Sequence, residues 1–388
     1  MRIPGDILRR GLSGVGQINI KYYFTGSIIN MNCTVYVGTY TGGEFSDSCI
    51  TGSEGIYGFC FDAENGVLNS IGVFGENEID PGFLVSDGKY ILAENERKDN
   101  AVIRCFKIDD DASLVYVDQV RTFGSKCAHV CLDKHGPYVI GAVYSTGNVV
   151  VAKINQSTGE LRLTDEVNHE GRSIVPVRQE GPHAHSACFT PDGKLLAVPD
   201  LGADRVVLYK LDRGKGILLK NDIQPYVTVK PGEGPRHLTF SPDGKYAFLL
   251  TEIGNNIYVY EVDTQRGTLK EKNRYALLPD SFSGTSHAAE LKITSDGRYL
   301  YACNRGHDSI SGFTVLSSGE LVSIGHFSSG GRGPRHICLS PNEDFIIAAN
   351  KDSNEVCVIE RNTENGTLGT ITDRVSVPAP ACICCVEI

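Results

Sequence analysis

The stretch Gly234-Pro-Arg-His-Leu-Thr-Phe-Ser-Pro-Asp-Gly-Lys-Tyr-Ala-Phe-Leu-Leu-Thr-Glu252 decides the fold, because the chain repeats it. It runs on through Gly254-Asn-Asn and Ile257-Tyr-Val-Tyr-Glu-Val-Asp263 to Gly267-Thr-Leu. A second copy starts at Pro182-His-Ala-His185 and carries Thr190-Pro-Asp-Gly-Lys194. A third starts at His287-Ala-Ala-Glu290 and carries Ser295-Asp-Gly-Arg298. A fourth starts at Gly333-Pro-Arg-His336 and carries Ser340-Pro-Asn-Glu-Asp344. Weaker copies carry Ser86-Asp-Gly-Lys89 and Lys134-His-Gly136.

The turn glycines Gly88, Gly136, Gly193, Gly244 and Gly297, with Glu343 in the same place, lie 48, 57, 51, 53 and 46 residues apart. Each interval has room for four short strands. Pro-Asp-Gly is a tight turn: Pro presets φ, Asp hydrogen-bonds locally and Gly takes the closing conformation. Alternating β-branched and aromatic residues flank it. Tandem four-stranded units read as propeller blades. Six copies are whole. Val35-Tyr-Val-Gly-Thr-Tyr40 reads as a second strand without a first, and Pro380-Ala-Cys-Ile-Cys-Cys-Val386 as a first strand with nothing after it. If the last strand completes the first blade, no sheet edge stays open. The expected fold is therefore all-β: a seven-bladed β-propeller of four-stranded antiparallel blades over residues 32–388, closed by the C-terminal strand. With no tryptophan in the chain, it is not a WD-type repeat.

Composition narrows the function. Apolar residues make up 41% and charged residues 22%, values of an ordinary globular chain. The net charge of −10 lacks the footprint expected for general nucleic-acid or anionic-membrane binding. No apolar run reaches the ~18 residues of a membrane-crossing helix. The 13 cysteines are scattered. Cys382 and Cys385 have CxxC spacing, but no second pair matches them, so zinc is not implied. Cys60, Cys105, Cys188 and Cys338 read as reduced thiols inside β-structure, which points to the cytoplasm. Residues 1–31 differ from the rest, with Arg2, Arg9, Arg10 and Lys21 and no signal-length apolar stretch. They read as an extension outside the fold, and Met31 stands just before the first strand.

Aligning the copies on the turn gives two positions at one rim of the ring. At the start of strand one they are Asp80, Ala128, His185, Arg236, Ala289 and Arg335; at the end of strand two, Glu96, Tyr144, Leu201, Glu252, Arg305 and Lys351. Strand middles stay apolar, whereas the rim is charged. Charges at strand ends commonly do no more than meet solvent. Here cations, acids and a histidine converge on one axis, a layout suited to acid–base work on an anionic substrate. The forked donors of Arg236, Arg305 and Arg335 suit a phosphate or carboxylate. His183 and His185 share a face at i and i+2. That is also metal-ligand spacing, but no third ligand is evident, so no metal is expected. His237 and His336 point to the other face and read as braces to the neighbouring blade. Glu290, in the same register, reads either as a brace or as a substrate contact. No G-x-S-x-G elbow supports a serine hydrolase.

With these residues in view, the chain resembles the seven-bladed propeller lactonases, most closely the propeller-type 6-phosphogluconolactonases, over about residues 32–388. The resemblance rests on Tyr36-Val-Gly-Thr-Tyr40, Gly181-Pro-His-Ala-His185, Val198-Pro-Asp-Leu-Gly-Ala-Asp-Arg205, Gly234-Pro-Arg-His237, Asn304-Arg-Gly-His-Asp-Ser309 and Gly333-Pro-Arg-His336. It implies hydrolysis of 6-phosphoglucono-δ-lactone, a small anionic substrate, with no cofactor. It also implies a site on His185, Arg236, Glu252 and Arg305, all among the twelve rim positions. His183, Arg335, Glu290 and Lys351 are the expected substrate contacts. Either Glu252 or His185 would activate water, Arg236 would face the oxyanion, and Arg305 and Arg335 would hold the phosphate. Two other readings compete: a carboxymuconate cyclase or lactonase, and a non-catalytic propeller that binds a protein on its rim.

Overall fold

The computed structural model describes residues 21–24, 27–30, 33–42, 52–75, 80–96 and 101–387. Among them, seven antiparallel four-stranded sheets form a ring. Blade 1 is the split one. Its inner strand, Pro380–Val386, pairs with Thr34–Thr39, followed by Ile56–Asp62 and Val67–Phe74. The inner strands of blades 2 to 7 are Leu84–Ser86, Cys127–Leu132, Cys188–Phe189, Pro235–Phe240, His287–Ile293 and Pro334–Leu339. Each is followed outward by the next three strands in sequence. Blade 4 adds a detail that the repeat hides. Its outer edge is shared by Ile217–Lys220 and Tyr226–Thr228, both paired with Arg205–Asp212. Pro225 has no N–H for the ladder, and the Asn221 side chain accepts from Ile223 N at 2.8 Å, so the edge breaks there.

The repeated turn works as its residues dictate. Asp243 accepts from Ser241 Oγ at 2.7 Å and from Lys245 N at 3.1 Å, and Ser241 Oγ accepts from Tyr246 N at 3.0 Å. Gly244 closes it at φ +70°. Glu343 takes the same left-handed place at φ 58° in blade 7, without a glycine's freedom.

The core lies between blades. Tyr36 and Ile56 of blade 1 pack on Leu84 and Ile91 of blade 2, and such clusters recur around the ring. The ring is sealed where Phe345 and Ile347 of blade 7 meet Val35, Phe59 and Ile383 of blade 1. The described cysteines are all free. No described helix is long and apolar enough to cross a membrane. Lys21–Phe24 and Ser27–Asn30 form a hairpin that joins no blade.

Candidate active site

The inner strands do not run straight into the rim. Pairing skips a residue between Cys127 and His129, between Pro235 and His237, and between Pro334 and His336. The skipped residues are Ala128, Arg236 and Arg335, three of the rim positions. A β-bulge bends its strand and re-aims one side chain. Here it turns the rim residue toward the axis, and the histidine after it faces the other way.

At this rim lies a cavity of about 270 Å³ lined by Tyr40, Glu96, Ala128, Tyr144, Arg178, His185, Glu252, Arg305, Arg335 and Lys351. Eight of the ten are rim positions. Arg236 is next to it at the waist of the channel, with Glu96, Ala128 and Arg335. Glu252 is the hub. Its Oε2 accepts from Arg236 Nε at 3.0 Å and faces His185 Nε2 at 3.5 Å. Its Oε1 accepts from Arg178 at 2.7 Å and lies 3.3 Å from Arg305. On the far side, Glu96 takes the Tyr40 hydroxyl at 2.7 Å and Arg335 at 3.1 Å, with the Arg335 guanidinium 5.0 Å from the centre of the Tyr40 ring.

This packing sets the charges. Burial alone would raise the Glu252 pKa, but Arg305, His185 and Arg236 hold it well below the carboxylate range. Burial, then Arg236, push His185 down to about 4, so it is neutral at pH 7. Burial, then Arg305, push Arg236 down to about 10, which leaves it charged. Burial, then Glu96, raise the pKa of buried Glu94 well above the normal carboxyl value. The pocket and its floor thus gather Arg178, Arg236, Arg305, Arg335 and Lys351 around only two carboxylates, Glu96 and Glu252. An anion is the complementary guest.

The family whose description reads "Lactonase, 7-bladed beta-propeller" matches residues 34–385. The chain belongs to that family. A 6-phosphogluconolactonase of Bacillus subtilis is 33% identical over 351 residues, covering 90% of this chain and 97% of the relative. The crystal structure of a protein from Lactobacillus plantarum superposes with TM-score 0.83 at 31% identity, covering 91% and 99% of the two chains. The periplasmic gluconolactonase of Pseudomonas aeruginosa superposes with TM-score 0.84 at 30% identity, covering 92% and 99%. The family makes the chain a lactone hydrolase acting on a small-molecule lactone.

Within this lactonase ring, the structure gathers His185, Glu252, Arg305, Arg335 and Lys351 at one pocket, with Arg236 at its floor. Lys351 is also paired with Asp352 at 3.2 Å. Two expected contacts stand apart. His183 is not in the pocket wall: its ring stacks on Tyr144 at 4.6 Å and its Nδ1 donates to Tyr144 O at 2.8 Å, so it fixes a wall residue instead. Glu290 lies below the waist. It accepts from His237 at 3.1 Å, and its other oxygen is 3.0 Å from His336 and so braces three blades. His336 also accepts from Ile383 N at 3.3 Å. Its register with those histidines left both a brace and a substrate contact open, and the structure puts it with the braces.

Arg178 was missed. It comes from residues 169–187, the connection that stretches one repeat interval to 57. Gln179 anchors this loop, donating to Leu201 O at 2.8 Å and accepting from Val175 N at 3.1 Å. His169 meets Asp200 at 2.7 Å beneath it. Val177 takes φ 68°, a backbone region that β-branched residues avoid, and the next side chain, Arg178, reaches Glu252. The overlong interval was the one signal of it in the sequence.

Proposed function

We propose that the chain hydrolyses 6-phosphoglucono-δ-lactone to 6-phosphogluconate, the lactone-opening step of pentose phosphate metabolism. The carrying observation is the excess of cations around a cavity of about 270 Å³, a size for one small molecule. Arg335, Arg305 and Lys351 bind the phosphate, and Arg178 stays on Glu252. Both Glu252 oxygens are taken by cations and His185, so His185 is the base. Its Nε2 faces Glu252 at 3.5 Å, whereas Nδ1 is buried without a protein partner, so the imidazole draws the proton from water at its pocket edge beside that carboxylate. The imidazolium that forms is stabilised by the same carboxylate, as in hydrolytic triads. Water adds to the lactone carbonyl, Arg236 faces the oxyanion, and the ring oxygen leaves with the proton from His185.

The test is a pH-controlled assay of lactone opening, corrected for spontaneous hydrolysis, on 6-phosphogluconolactone and on unphosphorylated gluconolactone. A clear preference in kcat/KM for the phosphorylated lactone is expected. Equal rates on both would replace the phosphate reading with the plain sugar lactone named for the Pseudomonas relative.

A further inference from the structure

The lower half of the channel carries chemistry that lactone opening leaves unused. Below the waist lies a chamber of about 1200 Å³ whose wall includes Cys131, Cys188, Cys338 and Cys385 beside Lys292 and Glu290. Two of these thiols meet across the seam that closes the ring. Cys338 is on Pro334–Leu339, the inner strand of blade 7, and Cys385 is on Pro380–Val386, the closing strand packed beside it. Cys338 and Cys385 line the same chamber from strands packed side by side, and Cys385 is the side chain that acts most on the Cys338 thiol, with Cys33 its other neighbour. The Cys338 S–H points at Leu339 O, 3.3 Å away. Both residues are half-buried, whereas Cys33, Cys105 and Cys357 are sealed in the core. Their acidities differ in the sense a reactive pair needs. Cys385, helped by Lys292 and opposed by burial, pulls Cys338 down to about 7. Burial pushes Cys60 up to about 11 and Cys105, Cys188 and Cys384 up to about 12. A thiolate near neutrality beside a cation, with a second thiol in contact, is the arrangement of oxidation-sensitive cysteines.

We propose that Cys338 and Cys385 form an oxidisable pair: a small hydroperoxide entering the lower chamber oxidises Cys338, and Cys385 converts it to a disulfide that ties blade 7 to the closing strand. The Cys338 thiolate attacks the outer oxygen of the peroxide. The O–O bond breaks, the released hydroxide takes a proton and leaves as water, and Cys338 becomes a sulfenic acid. The Cys385 sulfur then attacks the Cys338 sulfur, and a second water leaves with the Cys385 proton. Two thiols and one hydrogen peroxide give one disulfide and two waters. The bond closes the loop from 338 to 385 and keeps the last strand from peeling away.

The full chain is treated with equimolar hydrogen peroxide, capped with N-ethylmaleimide and digested without reductant. The expected product is a peptide pair joined through Cys338 and Cys385, in a protein that melts a few degrees higher until dithiothreitol reverses it. Cys385→Ser should stop at a sulfenic acid on Cys338 that dimedone traps, and Cys105→Ser should still form the bridge. Oxidation of Cys338 straight to a sulfinic acid would overturn the proposal. So would a bridge from Cys385 to Cys33, or failure of dimedone to label the Cys385→Ser protein.

Discussion

At the scale of residues, the site depends on how Glu252 divides its two oxygens. Arg236 and His185 face one, and Arg178 and Arg305 the other. On the proposed mechanism His185 must be neutral to act, and burial and Arg236 push its pKa down to about 4. Turnover should therefore hold at neutral pH and fall as pH drops through about 4. His185→Gln should lower kcat by about 10²–10⁴-fold and remove that limb from the pH–rate profile. Glu252 raises the His185 pKa, so Glu252→Gln should move the limb to still lower pH while also reducing kcat. A Glu252→Gln enzyme that kept no acid limb while His185→Gln kept it would show the carboxylate to be the base. Arg335 answers a different question. On the proposed reading its charge meets one already present in the ground state, so Arg335→Ala should raise KM for the phosphorylated lactone by about tenfold or more and leave KM for gluconolactone nearly unchanged. Steady-state kinetics on the two substrates decides it. These roles were legible only in part. Arg236, His185 and Glu252 fall in a repeat, so one alignment finds them together. Arg178 belongs to a loop with no period, and nothing local marks it as facing the pocket.

At the scale of elements, the bulges separate what strand periodicity would predict from what the inner strands do. Arg236 and His237 are consecutive, and so are Arg335 and His336. In each pair the arginine meets the upper pocket or its floor and the histidine meets Glu290. Turn chemistry is written in adjacent residues, so Pro-Asp-Gly announced the blades. A bulge depends on pairing between strands, which leaves no local mark, and so Glu290 could be assigned to either chamber from sequence. The closing strand was readable, because an incomplete first copy and an incomplete last copy require each other. It pairs with Thr34–Thr39 along its length and packs Ile383 into the seam with blade 7. Deleting residues 380–388 should strip blade 1 of its inner strand and expose two edges. Thermal melting should show a large loss of stability or outright aggregation. Deleting residues 1–31 should cause neither, in keeping with our reading of that segment as an extension. A ring that melts unchanged without residues 380–388 would contradict the closure.

At the scale of the whole molecule, an acidic protein of net charge −10 sets Arg178, Arg305, Arg335 and Lys351 around one mouth of the channel. Inorganic phosphate should therefore compete with substrate, more weakly at high salt. It should also raise the melting temperature in proportion to the logarithm of its concentration once above its Kd. Arg335→Ala should blunt both effects. A melting temperature that ignores millimolar phosphate would favour a substrate without that group. Net charge alone gave no hint of this mouth, because a bulk sum averages over a field that the blades focus.

The split blade also makes the chain circular in all but one bond. Thr34 and Val386 are register partners in adjacent antiparallel strands. A short flexible linker between those neighbouring ends would erase the seam. New termini could then open at an exposed repeat turn, such as Asp243-Gly244, because that turn is stabilised by its own side chains. Such a permutant, lacking the N-terminal segment, should fold to the same ring and keep lactone turnover, with blade 5 now shared between the two ends of the chain. Where a propeller begins would then be a choice of reading frame around a closed loop, and the site, built from side chains of most of the blades, would not register the change.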